Sequence, residues 1–524
     1  MLLIFPPVAK PCEPPAGIAK LAGALNAHGV SCEIFDANLE GMLHLLRLPN
    51  AASDTWTRRA VKHCSSNIEA LRNPDTYRCF DRYSRAVKDV NRVLEASGER
   101  YRAAPGLADY RHQALSPVRS ADLIHAAAYP EQNPFFPWFS RRLSEFFDGS
   151  AVQRQGREEK LYEPAHDAVS SRGFIGLSLN YLSQALCTFA MIGHIRKTFP
   201  ECKIVLGGGL VSSWMKNPGW NNPFKGLVDH LIAGPGEGPL LRLLGVKELD
   251  HRHTAPDYRS LLRREYLSPG FILPYSGSNG CYWNKCSFCP ETAEGNPYVP
   301  VPAEEAMTDL NALIAKTDPV LVHLLDNAVS PALMRKLAIN PIGVPWYGFA
   351  RIETDLTDLD YCIQLKRSGC RMLKIGLESG DQGVLDRMSK GIDLTSASLV
   401  LNNLRAAGVA ASVYLLFGTP TETIREARKT LAFVVAHRQA ITYLNLAIFN
   451  MPACGPKTGE YETEPFYDGD LSLYTAFRHP KGWDRMHVRR FLDAEFKKQP
   501  VVSDILQNDP PLFTSNHAAF FTNA

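Results

Sequence analysis

Short apolar runs alternate with longer segments of helical spacing from the first residue onward. Residues 1–5 form an apolar run of strand length. Residues 16–28 carry Ile18, Leu21, Ala22 and Leu25 at helical spacing, and Gly29 ends that segment. Residues 30–36 read as a second strand, so the chain opens as a β-α-β unit. The rhythm breaks over about 40–167, a stretch rich in Arg, Ala, Tyr and Phe. It is too long for a connecting loop and is expected to be a mostly helical insertion. Alternation resumes with GFIGLSLN at 173–180, a buried strand. A helix follows over 183–198, with Leu186, Phe189, Ala190 and Ile195 on one side. KIVLGGG at 203–209 and GLVDHLIAGPGEGP at 226–239 each read as a strand running into a glycine turn. In an open parallel sheet such strand ends line the ligand crevice.

A linker is expected over 251–268. Beyond it, apolar runs at 271–275, 320–325, 346–350, 372–377, 411–417 and 443–449 are separated by helical segments at 302–315, 356–368, 394–407 and 421–437. Six β-α repeats of this kind predict a partial (β/α)6 parallel barrel with its site at the carboxyl-terminal mouth. The expected organisation is α/β throughout. It comprises a Rossmann-like open parallel sheet domain over 1–250 interrupted by the helical insertion, the linker, a barrel over 269–456, and a C-terminal extension over 457–524.

Composition sharpens this little. With 57 basic and 54 acidic residues the net charge is +3, which gives no electrostatic reason to expect nucleic acid as a partner. The basic patch MHVRRFLDAEFKKQP at 486–500 reads as a solvated helix face. MLLIFPPVAKP at the N-terminus lacks the basic start and cleavage site of a signal peptide, and no apolar run reaches the roughly eighteen residues of a membrane span. A cytoplasmic location is therefore expected, where disulfides are rare.

That expectation bears on SNGCYWNKCSFCPE at 278–291. Cys281, Cys286 and Cys289 stand in a C-x4-C-x2-C arrangement just after the first strand of the barrel series. Three thiolates can hold three irons of a 4Fe–4S cube and leave the fourth for a non-protein ligand. A structural zinc ion would ask for four protein ligands, and no second C-x2-C exists, the other nine cysteines being scattered singly. A zinc site completed by a distant histidine is the alternative.

The cysteine loop and its downstream context resemble the radical S-adenosylmethionine (SAM) superfamily. That family's usual spacing is C-x3-C-x2-C, one residue shorter in the first gap. The resemblance covers roughly 275–456 and is ordered. HLLDNAVSP at 323–331, YGFARIETDL at 347–356, MLKIGLESGDQGVLDRMSKGI at 372–392 and LLFGTPTET at 415–423 are similar to the ends of the family's second to fifth strands. It implies that the open iron chelates the amino and carboxylate groups of SAM. An electron from the cluster then splits the S–C5′ bond, and the radical produced abstracts a substrate hydrogen. It implies SAM-contacting roles for Phe288 beside the adenine, Asp326 and Asn327 at the amino group, Arg351 near the mouth, and Glu378 and Ser379 at polar groups. Taken singly, Asp326 or Glu378 reads equally as a capping or surface carboxylate and Arg351 as half of an ion pair.

A Rossmann-like domain ahead of such a barrel resembles the cobalamin-binding subclass. That implies a corrin across the strand ends, with its nucleotide tail in a groove kept open by Gly207, Gly208, Gly209, Gly234 and Gly236. Ser178 and Ser212 are expected to donate hydrogen bonds there. The D-x-H-x-x-G signature that supplies a histidine to cobalt in some cobalamin proteins is absent; the loop after the first strand reads PPVAKPCEPP. The implied cofactors are a 4Fe–4S cluster, SAM and cobalamin. The implied partners are a small-molecule or peptide substrate and an electron donor such as flavodoxin or ferredoxin. The function implied is C-methylation of an unreactive carbon. A radical SAM enzyme with an unused corrin site, catalysing cyclisation, rearrangement or methylthiolation, is the second reading, and a zinc-stabilised binding protein the third.

Overall fold

A computed structural model describes residues 1–48, 54–155, 173–247, 253–455, 458–510 and 520. Parts of the expected insertion (49–53, 156–167), first domain (168–172, 248–250), linker (251–252), barrel end (456) and extension (457, 511–519, 521–524) lie outside the described residues. The chain divides into two compact units. The first holds Met1–Arg72, Asp81–Leu267 and Asp468–Leu471; the second holds Asn73–Phe80, Ser268–Tyr467 and the chain from Ser472 onward.

The first unit is built on five parallel strands, β1 (Leu2–Ile4), β2 (Glu33–Phe35), β3 (Phe174–Ser178), β4 (Lys203–Gly207) and β5 (His230–Ile232), in the order β2-β1-β3-β4-β5. This is a doubly wound order whose direction reverses between β1 and β3, and ligands of such sheets bind beyond the carboxyl ends at that point. Helix α1 (Ala16–Ala27) buries Ile18, Ala22 and Leu25 against Met1, Leu3 and Phe5. It ends at Gly29, whose φ of 71° is the left-handed conformation that glycine adopts without strain. Helix α2 (Leu182–Thr198) is buried along almost its whole length, and α3 (Gly209–Lys216) and α4 (Glu237–Leu243) follow β4 and β5. The described part of the expected insertion is mainly helices. It also contains a hairpin, Ala103–Pro105 with Tyr110–His112, that no alternation pattern announced.

The second unit is built on six parallel strands in sequence order: β6 (Ile272–Tyr275), β7 (Leu321–Leu324), β8 (Trp346–Ala350), β9 (Cys370–Glu378), β10 (Ala410–Phe417) and β11 (Tyr443–Ile448). Ile272, Leu321, Tyr347, Met372 and Tyr443 pack in one buried cluster although they come from five strands. Side chains from both edge strands meeting in one layer make this a curled sheet, a partial (β/α)6 barrel closed at its amino-terminal end by packing. Helices α5 (Ala303–Thr317), α6 (Pro331–Ile339), α7 (Leu359–Arg367), α8 (Leu394–Ala407) and α9 (Ile424–Ala436) cover the outside. α9 starts on a capping box in which Thr423 and Glu426 satisfy each other's end of the first turn. After β11 the chain adds a three-stranded antiparallel sheet and the helices Arg485–Phe491 and Pro500–Gln507.

Candidate active site

The barrel mouth is organised around the cysteine loop. β6 gives way to a short arch in which 278–279 pair antiparallel with 299–300, bracketing the three cysteines. Gly280 has φ +73°, and a Cβ there would lie 2.4 Å from the Pro297 carbonyl oxygen, so only glycine closes the arch. Asp326, almost fully buried at the end of β7, accepts from the Gly277 amide at 3.1 Å and the Ser278 hydroxyl at 2.5 Å. The Asn327 amide donates to the Gly280 carbonyl at 3.3 Å. Both residues therefore brace the base of the loop.

Within the loop Asn284 has φ +42°, in the left-handed region that asparagine enters more readily than most residues. The gap also carries Trp283, whose ring lies on Gly391; a Cβ at 391 would come within 2.0 Å of it. The indole N–H donates to the Ser389 carbonyl at 3.0 Å, and the Ser287 amide donates to the Met388 carbonyl at 3.0 Å. The Arg351 guanidinium sits 4.2 Å from the centre of the Trp283 ring and donates to the Lys390 carbonyl at 2.7 Å. The cysteine loop and the 388–391 turn after β9 are thus clamped together.

That turn delivers Lys390. Its ammonium lies 2.8 Å from the Glu378 carboxylate, with the two side chains only 8% and 13% exposed, and 5.5 Å from the Phe288 ring centre. Glu378 holds φ +68° at a register shift that ends the β9–β10 pairing, a strained conformation of the kind stored at functional sites. A Cβ at Gly376 would meet the Glu378 carboxylate at 2.7 Å and the Lys390 ammonium at 2.8 Å, so the ion pair folds back over that glycine. Burial pushes the thiols of Cys286 and Cys289 up, while Lys390 and Arg351 pull Cys286 back down. The two cations offset part of that rise, since a positive charge beside a thiol favours its thiolate.

Beside the loop lies a cavity of about 260 Å³, lined by Phe288, Lys285, Met388, Thr419, Thr421 and Phe449 among others. A single zinc ion asks for ligands converging on one point. Among the described residues no three His, Cys, Asp or Glu side chains do so. A 4Fe–4S cube instead spreads its thiolates over separate irons. Three cysteines of one loop, with Lys390 and Arg351 acting on Cys286, are a donor set of the kind that group takes.

Of the residues singled out from the sequence, Phe288, Arg351 and Glu378 come together at this loop, and Asp326 and Asn327 hold its base. Ser379 does not face the mouth. It is fully buried, its hydroxyl paired with Thr430 of α9 at 3.3 Å and accepting from the Asp381 amide at 3.2 Å. Lys390 and Trp283 escaped sequence reasoning because neither has a signal beyond its distance along the chain from Glu378 and the cysteines.

The switch point of the first unit is knit by α2. The Ser183 hydroxyl donates to the Val8 carbonyl at 2.8 Å and the Gln184 amide to the Pro6 carbonyl at 2.7 Å. Asn180 was not anticipated. It donates to the Ser178 hydroxyl at 3.0 Å and accepts from the Gly209 amide at 3.0 Å. Ser212 differs from expectation, because its hydroxyl proton is spent on the Gly208 carbonyl at 3.0 Å while its oxygen accepts from the Gly234 amide at 2.8 Å. The glycines divide by task. A Cβ at Gly208 would meet the Leu179 carbonyl at 2.4 Å and one at Gly236 the Leu21 side chain at 3.2 Å, so these two serve close packing. Gly207 is in ordinary contact with Ile232, whereas Gly234 has nothing within 4 Å and Gly209 only Asn180 at 3.9 Å. Gly209 and Gly234 face open space where a side chain would stand.

Residues 275–434 match the profile of the radical SAM superfamily. The second unit therefore carries a radical SAM domain over that span. Two curated relatives are each 24% identical: bacteriochlorophyllide d C-12(1)-methyltransferase of Chlorobaculum tepidum over 219 residues, and an uncharacterized methyltransferase of Pyrococcus horikoshii over 216. Those matches cover 40% and 39% of this chain but only 46% and 45% of the relatives. Among solved structures, the radical SAM methyltransferase TsrM of Kitasatospora setae, determined with cobalamin and a 4Fe–4S cluster bound, is similar in fold. It has a TM-score of 0.50 at 13% identity, over 89% of this chain and 81% of that one. No described helix is long and apolar enough to cross a membrane.

Proposed function

We propose that this protein cleaves SAM reductively at a 4Fe–4S cluster held by Cys281, Cys286 and Cys289, and that it is a cobalamin-dependent C-methyltransferase. The observation that carries the reading is the clamped three-cysteine loop at the mouth of a parallel barrel, in a chain that also folds a 2-1-3-4-5 sheet. When bound, the cluster supplies the electron that breaks a carbon–sulfur bond of SAM, and cobalamin supplies a methyl carrier.

The chain's own residues bind and orient. The Lys390–Glu378 pair presents a cation and a carboxylate at the mouth, matched to the carboxylate and ammonium of an amino acid moiety. Phe288 offers an aromatic face to a purine, and the Thr419 and Thr421 segment lines the same cavity. In the first unit, Gly209 and Gly234 leave room for a cofactor tail while Asn180 and Ser212 fix the loops that bear them. The TsrM structure and the methyltransferase names of the curated relatives support methylation. The second reading is a radical SAM reaction without a corrin. The full engagement of Ser212 and the packing role of Gly208 favour it.

Anaerobic incubation with SAM and reductant tests the reading. Both 5′-deoxyadenosine and S-adenosylhomocysteine are expected, together with retained or bindable corrin. 5′-Deoxyadenosine alone, with no bindable corrin, would establish the second reading.

A further inference from the structure

A second, smaller cavity of the barrel unit belongs to none of the roles above. It holds about 60 Å³, and its walls are the aromatic side chains Phe449, Phe466, Phe477 and Trp483. Its polar lining is Arg485, Asn450, Asp484, His479 and Thr475. It shares the wall residues Phe449 and Met451 with the larger cavity beside the cysteine loop, so the two cavities adjoin.

Arg485 is half-buried and has no carboxylate in ion-pair range among the described residues. Some other arginines of this unit do: Arg351 has Glu353, Arg335 has Asp355 and Arg428 has Glu495. One Arg485 nitrogen donates to the Asn450 carbonyl oxygen at 2.6 Å, and the guanidinium lies 5.1 Å from the Phe466 ring centre. The neighbouring carboxylate, Asp484, is committed to the Met486 and His487 amides and to the His487 ring at 3.0 Å. His479, also on the wall, donates from Nε2 to the Thr419 carbonyl and accepts at Nδ1 from the Lys481 and Trp483 amides, so it is neutral and adds no positive charge. Burial and the nearby Arg489 both disfavour the Arg485 cation where it stands. A partly desolvated guanidinium with spare donors, next to a second cation and walled by aromatic rings, is a site waiting for an anion. Its planar fork suits the two oxygens of a carboxylate.

We propose that Arg485 anchors the carboxylate of a small-molecule substrate whose apolar body lies among the aromatic walls and extends toward the cysteine loop. This rests on the enzymatic reading above. It places the substrate among apolar or aromatic carboxylic acids.

The test uses the full chain, cluster-loaded under anaerobic conditions, with phenylacetate and its neutral isostere phenylacetamide as probes followed by ligand-observed NMR. The wild-type protein is expected to bind phenylacetate in preference to phenylacetamide. Arg485→Gln is expected to weaken phenylacetate binding about tenfold or more, the value of a lost charge-assisted contact, while leaving phenylacetamide unchanged. Arg485→Lys is expected to recover only part of the affinity. Equal binding of the two probes by the wild-type protein, no binding of either, or phenylacetate binding unaltered by Arg485→Gln would overturn the proposal. The probe preference of the wild-type protein decides the matter even if the variants fold poorly. SAM cleavage by the same wild-type preparation is scored separately. An Arg485-dependent carboxylate site in a protein that does not cleave SAM upholds the site and rejects the enzymatic reading, and the converse rejects the site alone.

Discussion

The Lys390–Glu378 pair is the most exposed to test of any single contact at the mouth. Two nearly buried charges hold each other, and removing one strands its partner. Lys390→Met is expected to destabilise the protein by about 3 kcal/mol and to weaken SAM binding, whereas adding Glu378→Gln should restore most of the stability and none of the binding. Chemical denaturation and SAM titration of the single and double variants check both arms. Glu422 gives a pH signature. It is fully buried just after β10, one carboxylate oxygen accepting from the Gly418 amide and the Trp483 indole, the other without a partner among the described residues. Burial pushes its carboxyl up to about 7, against the pull of those two donors. The fold favours the neutral acid, so this contribution is complete below the unfolded value of 4.5 and is lost as pH rises through about 7. The swing is on the order of 3 kcal/mol. Glu422→Gln, neutral at every pH, is expected to flatten the wild-type protein's decline in melting temperature between about pH 5 and pH 8. An equally steep decline in the variant would assign the effect to other groups.

At the scale of elements, the clamp between the cysteine loop and the 388–391 turn is what sets the cation beside the thiols. Gly391→Ala adds a Cβ into the Trp283 ring at a φ of 67°, a strain of about 1–3 kcal/mol before the clash is counted. Its expected outcome is a protein with wild-type circular dichroism that retains less than half the iron after reconstitution; wild-type iron content would show the clamp to be dispensable. Regular elements were legible because a period of two or of 3.6 survives in the sequence. All six barrel strands fall on the apolar runs that predicted them. Errors came where a single side chain overrides the period. The helix expected over 356–368 is broken by Asp358, which caps α7 after a separate 3-10 turn at Thr354–Thr357. The hairpin at 103–112 has no alternation to read. Within the site, the cysteines and Phe288 share one stretch of sequence, whereas Glu378 stands far along the chain and is marked only by the segment around it. Trp283 on Gly391, Asn180 on Gly209, and Arg485 with Asn450 are pairings made by the fold, and residue order carries no trace of them. Ser379 shows the opposite failure, a polar residue of the right motif that the β9 bulge turns away from the mouth.

For the molecule as a whole, the proposed reaction draws on both units: a barrel with a three-thiol loop, and a parallel sheet with glycine-bearing loops after β4 and β5. The superfamily match falls on the barrel itself. Everything assigned to SAM, to the electron and to the substrate cavity depends on one iron of a cluster remaining free for a ligand that the protein does not provide. Electron paramagnetic resonance of the anaerobically reconstituted, reduced protein tests this most directly. A reduced 4Fe–4S signal is expected, changing shape when SAM is added and disappearing in the Cys281, Cys286 or Cys289→Ala variants. One zinc per chain in place of iron, or a cluster signal that SAM leaves unaltered, would contradict it.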